Sequence, residues 1–179
     1  MTHPSPIGGS DPPATATVLG PLRALIAPRA GERILEVGAG TGSYALQMAA
    51  DVAPGGTLDI LDAQPEMLAE AMRRAGARGV GNIFPTLGDA RFLPFDDATF
   101  DAAYLVAALG DMADATTALR ELGRVLRANG RLAVGELHGD PHRIAPSKLD
   151  ECAGAAGLRV AQRVDGLLGY VAKLARRGG

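Results

Sequence analysis

Apolar positions along this chain follow two rhythms that take turns. Spacings of three and four place Val18, Leu22, Leu25 and Ile26 of "TATVLGPLRALIA" on one face of a helix expected to start near Thr15 and to kink at Pro21. An unbroken apolar run follows in "RILEVG", the pattern of a strand covered on both faces of a parallel sheet. After a glycine turn, "SYALQMAADV" returns to the helical period with Ser43 as its cap, and "PGG" at 54–56 ends it. "TLDILD" predicts a second strand, "PEMLAEAMRRAGA" a helix with Pro65 at its first position, and "NIFPTLGD" a third strand ending at Asp89. "FDAAYLVAAL" predicts a fourth strand, and "DATTALRELGRVLR" a helix with Leu119, Leu122, Val125 and Leu126 turned inward. "GRLAVGEL" is a fifth strand after an Asn129-Gly130 turn, and "PSKLDECAGAAG" a last helix before two strand-like runs, "LRVAQRV" and "GYVAKLA".

Strands alternating with helices predict an α/β fold, a mostly parallel sheet with helices on both faces. The final two runs are too close in sequence for a parallel crossover, which takes a dozen residues or more, so they must pair antiparallel. A chain of 179 residues fits one such domain, over residues 15–179, and neither a repeat nor an internal linker divides it. The Pro-, Gly- and Ser-rich start is expected to be a flexible tail over residues 1–14, without the charged and apolar regions of a signal peptide.

Composition removes several classes of function. A formal net charge of -2 gives no electrostatic basis for gripping nucleic-acid phosphates. No run approaches the roughly 18 apolar residues of a membrane span, so no integral membrane contact is expected. The one cysteine, Cys152, cannot form an internal disulfide; cytoplasm is the expected compartment, and the residue reads as a small core side chain on an Ala-rich helix.

The chemistry starts at "ILEVGAGTG". Gly38, Gly40 and Gly42 follow a buried strand and bring bare backbone close to a ligand. A phosphate-cradling P-loop is excluded, because no lysine precedes Lys148. A dinucleotide fingerprint would need its third glycine at position 43, which is serine. Glu36, just before the loop, would repel a pyrophosphate but suits an ammonium or sulfonium group. Asp62 ends the second strand, where its carboxylate can accept from two ribose hydroxyls, as it could in an NAD enzyme. Asp89 can accept from the exocyclic amine of an adenine, with the Ala90 N–H reaching a ring nitrogen. Three acids at three strand ends thus line a crevice for a nucleoside carrying positive charge, a description S-adenosylmethionine meets. Because the three would repel one another, loss of Asp62 is expected to cost binding far more than folding, leaving the empty protein as stable or slightly more so.

With these residues in place, the chain resembles the class I S-adenosylmethionine-dependent methyltransferases, of the small-domain type that includes quinone-biosynthesis C-methyltransferases and phospholipid N-methyltransferases. The family's acid-x-Gly-x-Gly-x-Gly motif matches Glu36 to Gly42, its ribose acid matches Asp62 with Ala63 in "LDAQPEML", and its adenine motif matches "GDARFLPFDDATFD". A later segment matches "ALRELGRVLRANGRLAVGE", so the matches run in order from about Ile34 to Glu136. The resemblance implies a Rossmann-like methyltransferase fold of seven strands with strand seven reversed, and S-adenosyl-L-methionine as cofactor. Relatives often carry histidine after the fourth strand, where this chain has Gly110 and Asp111, so that role is left without a carrier.

The expected reaction moves a methyl group to an oxygen, nitrogen or activated carbon of a small molecule. It needs few obligatory side chains; where a proton must be taken, Asp111 and His138 are the candidates by position. Tyr44, on the first turn after the loop, either packs or contacts substrate, and Tyr104 is a further candidate for the substrate pocket. "HGDPH" holds His138 and His142 around Asp140 but reads as a polar loop, not a metal site, because Pro141 breaks any helical pairing. The short connection after the fifth strand leaves no room for a lid domain, so the substrate is enclosed by the N-terminal helix and short loops, or by a partner subunit, a homodimer included. Two other classes stay open: a non-catalytic S-adenosylmethionine-binding subunit, and an NAD-dependent oxidoreductase, which would leave Glu36 and Asp89 unexplained.

Overall fold

A computed structural model describes residues 13–178. Seven strands form one sheet in the order β3-β2-β1-β4-β5-β7-β6. They are β1 (Arg33–Val37), β2 (Thr57–Asp62), β3 (Ile83–Leu87), β4 (Phe100–Val106), β5 (Leu126–Leu137), β6 (Leu158–Gly166) and β7 (Gly169–Arg176). The pairs β1–β2, β1–β4, β2–β3 and β4–β5 are parallel, while β7 runs antiparallel to both β5 and β6. The α/β alternation and the reversed last strand read from the sequence are therefore both present.

Helices α1 (Pro13–Ile26), α2 (Ala45–Asp51) and α3 (Pro65–Ala77) contribute to an apolar cluster on one side of the sheet, and α4 (Ala115–Val125) and α5 (Pro146–Ala155) to one on the other. Successive side chains of a strand point to opposite faces. Ile34 of β1 therefore joins Leu22 and Ile26 of α1, whereas Leu35 and Val37 join Leu119 of α4 and Leu149 of α5. Val18, Leu22, Leu25 and Ile26 are all buried, as their helical spacing requires. Cys152 is buried on α5.

Several local expectations are corrected. The first helix begins at Pro13, inside the stretch read as tail, and runs on through Pro21; residues 1–12 lie outside the described residues. Ser43 does not cap α2: its Oγ accepts from Arg74 Nη1 of α3 at 3.1 Å. Leu126 does not close α4 but opens β5, pairing with Phe100, and the strand carries the Asn129-Gly130 step within it at an irregularity in the β4 pairing. Sheet hydrogen bonding overrides the helical pattern there. Strand β3 stops at Leu87, so Asp89 lies two residues beyond its end.

Candidate functional site

The strand order reverses between β1 and β4, and in an open α/β sheet the carboxyl ends of the strands at such a point leave a crevice. Here its volume is about 400 Å³, within the range of small-molecule sites. Gly38 and Gly40 wall it after β1, Asp62 and Ala63 after β2, and Asp89 and Ala90 after β3. Asp111 and Met112 close the side nearest β4. Six sequence-predicted cofactor residues and one predicted base thus come together from four loops.

The glycines are dictated by contact as well as conformation. Gly38 has φ +71°, and a Cβ there would stand 2.5 Å from the Ala108 Cβ. Gly42, at φ +78°, lies behind the crevice, where a Cβ would meet the Ala71 Cβ of α3 at 3.0 Å. Its place is explained by helix packing against the loop. Arg74, one turn along α3, donates to the Thr41 carbonyl at 2.8 Å and holds the loop from below.

Asp62 is nearly buried and already occupied. Its Oδ2 accepts the Gly40 N–H at 2.9 Å and its Oδ1 the Gln64 N–H at 2.9 Å. The carboxylate therefore shapes the glycine loop before any ligand arrives. This corrects the expectation that its removal would leave the empty protein unaffected, since two backbone donors lose their acceptor. Each oxygen keeps a second lone pair for a ligand hydroxyl.

Asp89 is clasped by Arg91: Nη2 meets Oδ2 at 2.6 Å, Nε meets Oδ1 at 3.1 Å, and the Arg91 backbone N–H donates to Oδ1 at 2.8 Å. These hydrogen bonds hold the Asp89 carboxyl down at about 2, fixing it as an anion. Arg91 itself lines the crevice, as do Gln64 and Met67. Sequence reasoning passed over all three; "GDAR" carried a signal, because an arginine two residues after an aspartate closes such a clasp.

Glu36 departs most from expectation. By strand alternation it points away from the crevice loop into the α1–α3 side, where it is 1% exposed and accepts the Tyr104 hydroxyl at 3.0 Å. Burial pushes its carboxyl up to about 8, with the Tyr104 hydrogen bond pulling the other way and the Asp62 charge adding to the rise. Glu36 is thus a buried group that titrates, not a fixed charge on the wall. Tyr104 is fully buried and its own ionisation is pushed well above the usual value by burial. It is a core residue, not part of a substrate pocket. Tyr44 is half-buried and packs against the same apolar cluster.

His138 is exposed just past the end of β5, and its N–H donates to the Leu168 carbonyl at 2.9 Å, off the crevice wall. Asp111 does reach the wall, and it meets a histidine that was not its expected companion: His142 Nδ1 lies 2.6 Å from Asp111 Oδ1. Among the described residues, no three His, Cys, Asp or Glu side chains group as a metal site would, and no helix is long and apolar enough to cross a membrane.

Comparison with known proteins matches this geometry. Residues 34–130, which carry the glycine loop, both aspartates and the Asp111 turn, match the family described as a methyltransferase domain. A ubiquinone/menaquinone biosynthesis C-methyltransferase of Cellvibrio japonicus is 38% identical over 121 residues, covering 67% of this chain and 48% of that protein. An O-methyltransferase of Aspergillus sclerotiorum is 36% identical over 137 residues, covering 76% of this chain and 51% of that one. The chain thus spans about half the length of these curated relatives. The crystal structure of an S-adenosylmethionine-dependent methyltransferase from Aquifex aeolicus shares the fold with a TM-score of 0.84 over 97% of this chain and 98% of that one, at 21% identity. With strand order, glycine loop and strand-end acids all in agreement with the family match, the chain belongs to the class I S-adenosylmethionine-dependent methyltransferases.

Proposed function

We propose that this chain is an enzyme that transfers a methyl group from S-adenosylmethionine to a small-molecule acceptor. The observation that carries this reading is the convergence of Gly38, Gly40, Asp62 and Asp89 on one crevice at the sheet's switch point. The residues fit such a ligand. Bare backbone at Gly38 and Gly40 allows close approach, Asp62 retains acceptor capacity for a ribose diol, Asp89 is a fixed anion for an exocyclic amine, and Leu61 and Met67 add apolar surface for a purine. Bound there, the cofactor supplies a methyl group activated by its sulfonium. The chain's own part is to orient the acceptor and exclude water, since near-attack geometry alone accelerates an in-line displacement by a large factor. A net charge of -2 favours a small molecule over nucleic acid as the acceptor. The buried, unpaired Cys152 is consistent with work in the cytoplasm.

Calorimetry with S-adenosylhomocysteine and with NAD tests the cofactor. Binding of the first and not the second supports the reading, and comparable affinity for NAD sinks it. Formation of S-adenosylhomocysteine over a panel of hydroxyl, amine and carbon acceptors then separates an enzyme from a binding subunit without turnover.

A further inference from the structure

The pairing of β5 with β7 stops at Leu132 and Leu174, although β5 begins at Leu126 and β7 runs on to Arg176. Below that point β5 stays with β4 and β7 stays with β6, so the two strands part and leave a groove of about 310 Å³ between them. It lies at the opposite end of β5 from Glu136 and shares no lining residue with the crevice.

Four basic side chains line this groove, Arg131, Arg159, Lys173 and Arg176, and no carboxylate does so among the described residues. Strand alternation puts Arg131 on the face of Ala133. Ala133 is the register partner of Lys173, and Ala175, two positions further along β7, is the partner of Arg159 on β6. Three adjacent strands thus present a cation on the same face at the same end of the sheet. Arg176 reaches in from the other face, where its Nη2 donates to the carbonyls of Gly123 and Leu126, each at 2.9 Å. Those acceptors are neutral and leave its charge in place. Glu32 offsets Arg131 alone, whose Nε stays buried without a partner. Arg159 and Lys173 make no side-chain hydrogen bond or ion pair among the described residues. Like charges on neighbouring strands repel, and the ligand-free protein offers nothing in the groove to relieve them.

We propose that this groove is a second ligand site, one that takes a phosphorylated small molecule with an apolar or aromatic body. The three cations without an acidic partner match a phosphate dianion, with the arginine forks binding its oxygens in pairs and Lys173 acting as a point charge. Leu132, Leu158 and Leu174 line the same groove and give an apolar body somewhere to rest. The volume suits a small molecule. An extended polyanion would meet the rest of a surface whose net charge is -2, which argues against a nucleic-acid strand.

The test is calorimetry on the full chain with saturating S-adenosylhomocysteine present, so that the crevice is filled. The probes are 1-naphthyl phosphate, inorganic phosphate and 1-naphthol. 1-Naphthyl phosphate should bind at least about tenfold more tightly than inorganic phosphate, and 1-naphthol should not bind measurably. Arg159→Gln and Lys173→Gln should each weaken 1-naphthyl phosphate by about 10- to 100-fold, the loss of one charge-assisted contact. Lys173→Arg should keep most of the affinity. Arg163→Gln, on the same strand as Arg159 but paired with Asp165 and off the groove, should change nothing. Arg159 is exposed, so its variant folds whatever happens to that of Lys173. No binding of 1-naphthyl phosphate, equal affinity in wild type and Arg159→Gln, or inorganic phosphate binding as tightly as the naphthyl ester would each overturn the proposal. Binding that appears only when S-adenosylhomocysteine is left out would place the ester in the crevice and overturn it as well. None of these outcomes bears on the methyltransferase reading, which rests on the other end of the sheet.

Discussion

Tyr104 donates its phenolic hydrogen to Glu36 Oε2 over 3.0 Å, and the two residues are direct register partners on the parallel strands β1 and β4. The pair joins the strand that leads into the glycine loop to its neighbour, inside an otherwise apolar layer. Tyr104→Phe leaves a buried carboxyl without its donor, which costs about 1–3 kcal/mol. The expected result is a lower denaturant midpoint with an unchanged slope, read by urea unfolding. An unaltered midpoint would show that the bond adds nothing.

Stability should fall as pH rises across neutrality. Burial holds the Glu36 carboxyl at about 8 and that of Glu136, fully buried on β5, at about 7. Both lie above the ordinary 4.5, so the folded state binds more protons between those limits and ∂ΔG/∂pH is negative. Their favourable contribution is complete below about pH 4.5 and is lost as pH rises through 7 and 8. Thermal unfolding of the ligand-free protein from pH 5.5 to 9 should show a midpoint that drops by several degrees, at about 2–4 °C per kcal/mol for a domain of this size. Glu36→Gln and Glu136→Gln should each flatten part of that slope.

Asp62→Ala should weaken S-adenosylhomocysteine binding by roughly 10- to 1,000-fold, on about 1.5–3 kcal/mol for each charge-assisted hydrogen bond and about 1.4 kcal/mol per tenfold. It should also destabilise the empty protein by about 1–3 kcal/mol, because the Gly40 and Gln64 N–H groups lose their acceptor. Asp62→Asn keeps one oxygen but turns an amide N–H toward one of those donors, so it should fall between wild type and alanine in both calorimetry and urea unfolding. A loss of affinity with no loss of stability would mean the loop holds its shape without Asp62.

Gly38→Ala faces two separable penalties. A left-handed backbone costs an L-residue roughly 1–2 kcal/mol, and crowding against the Ala108 Cβ, 2.5 Å from where the new methyl would be, adds about 1–3 kcal/mol. Introducing Ala108→Gly into the same chain removes only the second. The double variant should therefore recover about half of the lost stability, and with it part of the cofactor affinity. No recovery would assign the whole defect to backbone strain.

The elements themselves were legible wherever a pattern is local. Helix α3 runs Pro65–Ala77 and β2 runs Thr57–Asp62, the bounds read from "PEMLAEAMRRAGA" and "TLDILD", because an apolar period with a proline start leaves few other solutions. The reversed last strand followed from the short gap between two apolar runs. Leu126 was misread because its spacing suits a helix face as well as a strand, and only pairing with Phe100 decides between them.

By itself, the sequence determined the fold class, the order of its elements, and that Gly38, Gly40, Asp62 and Asp89 would meet at one crevice, since topology brings strand ends together whatever the side chains beyond them do. What only the tertiary structure decided was direction and partnership. Strand alternation turned Glu36 away from the crevice and onto Tyr104, and the packing of one loop on Gly110 carried His142 to Asp111, 31 positions earlier in the chain. Such pairings depend on angstrom-scale contact between segments distant in sequence, and no local period encodes them.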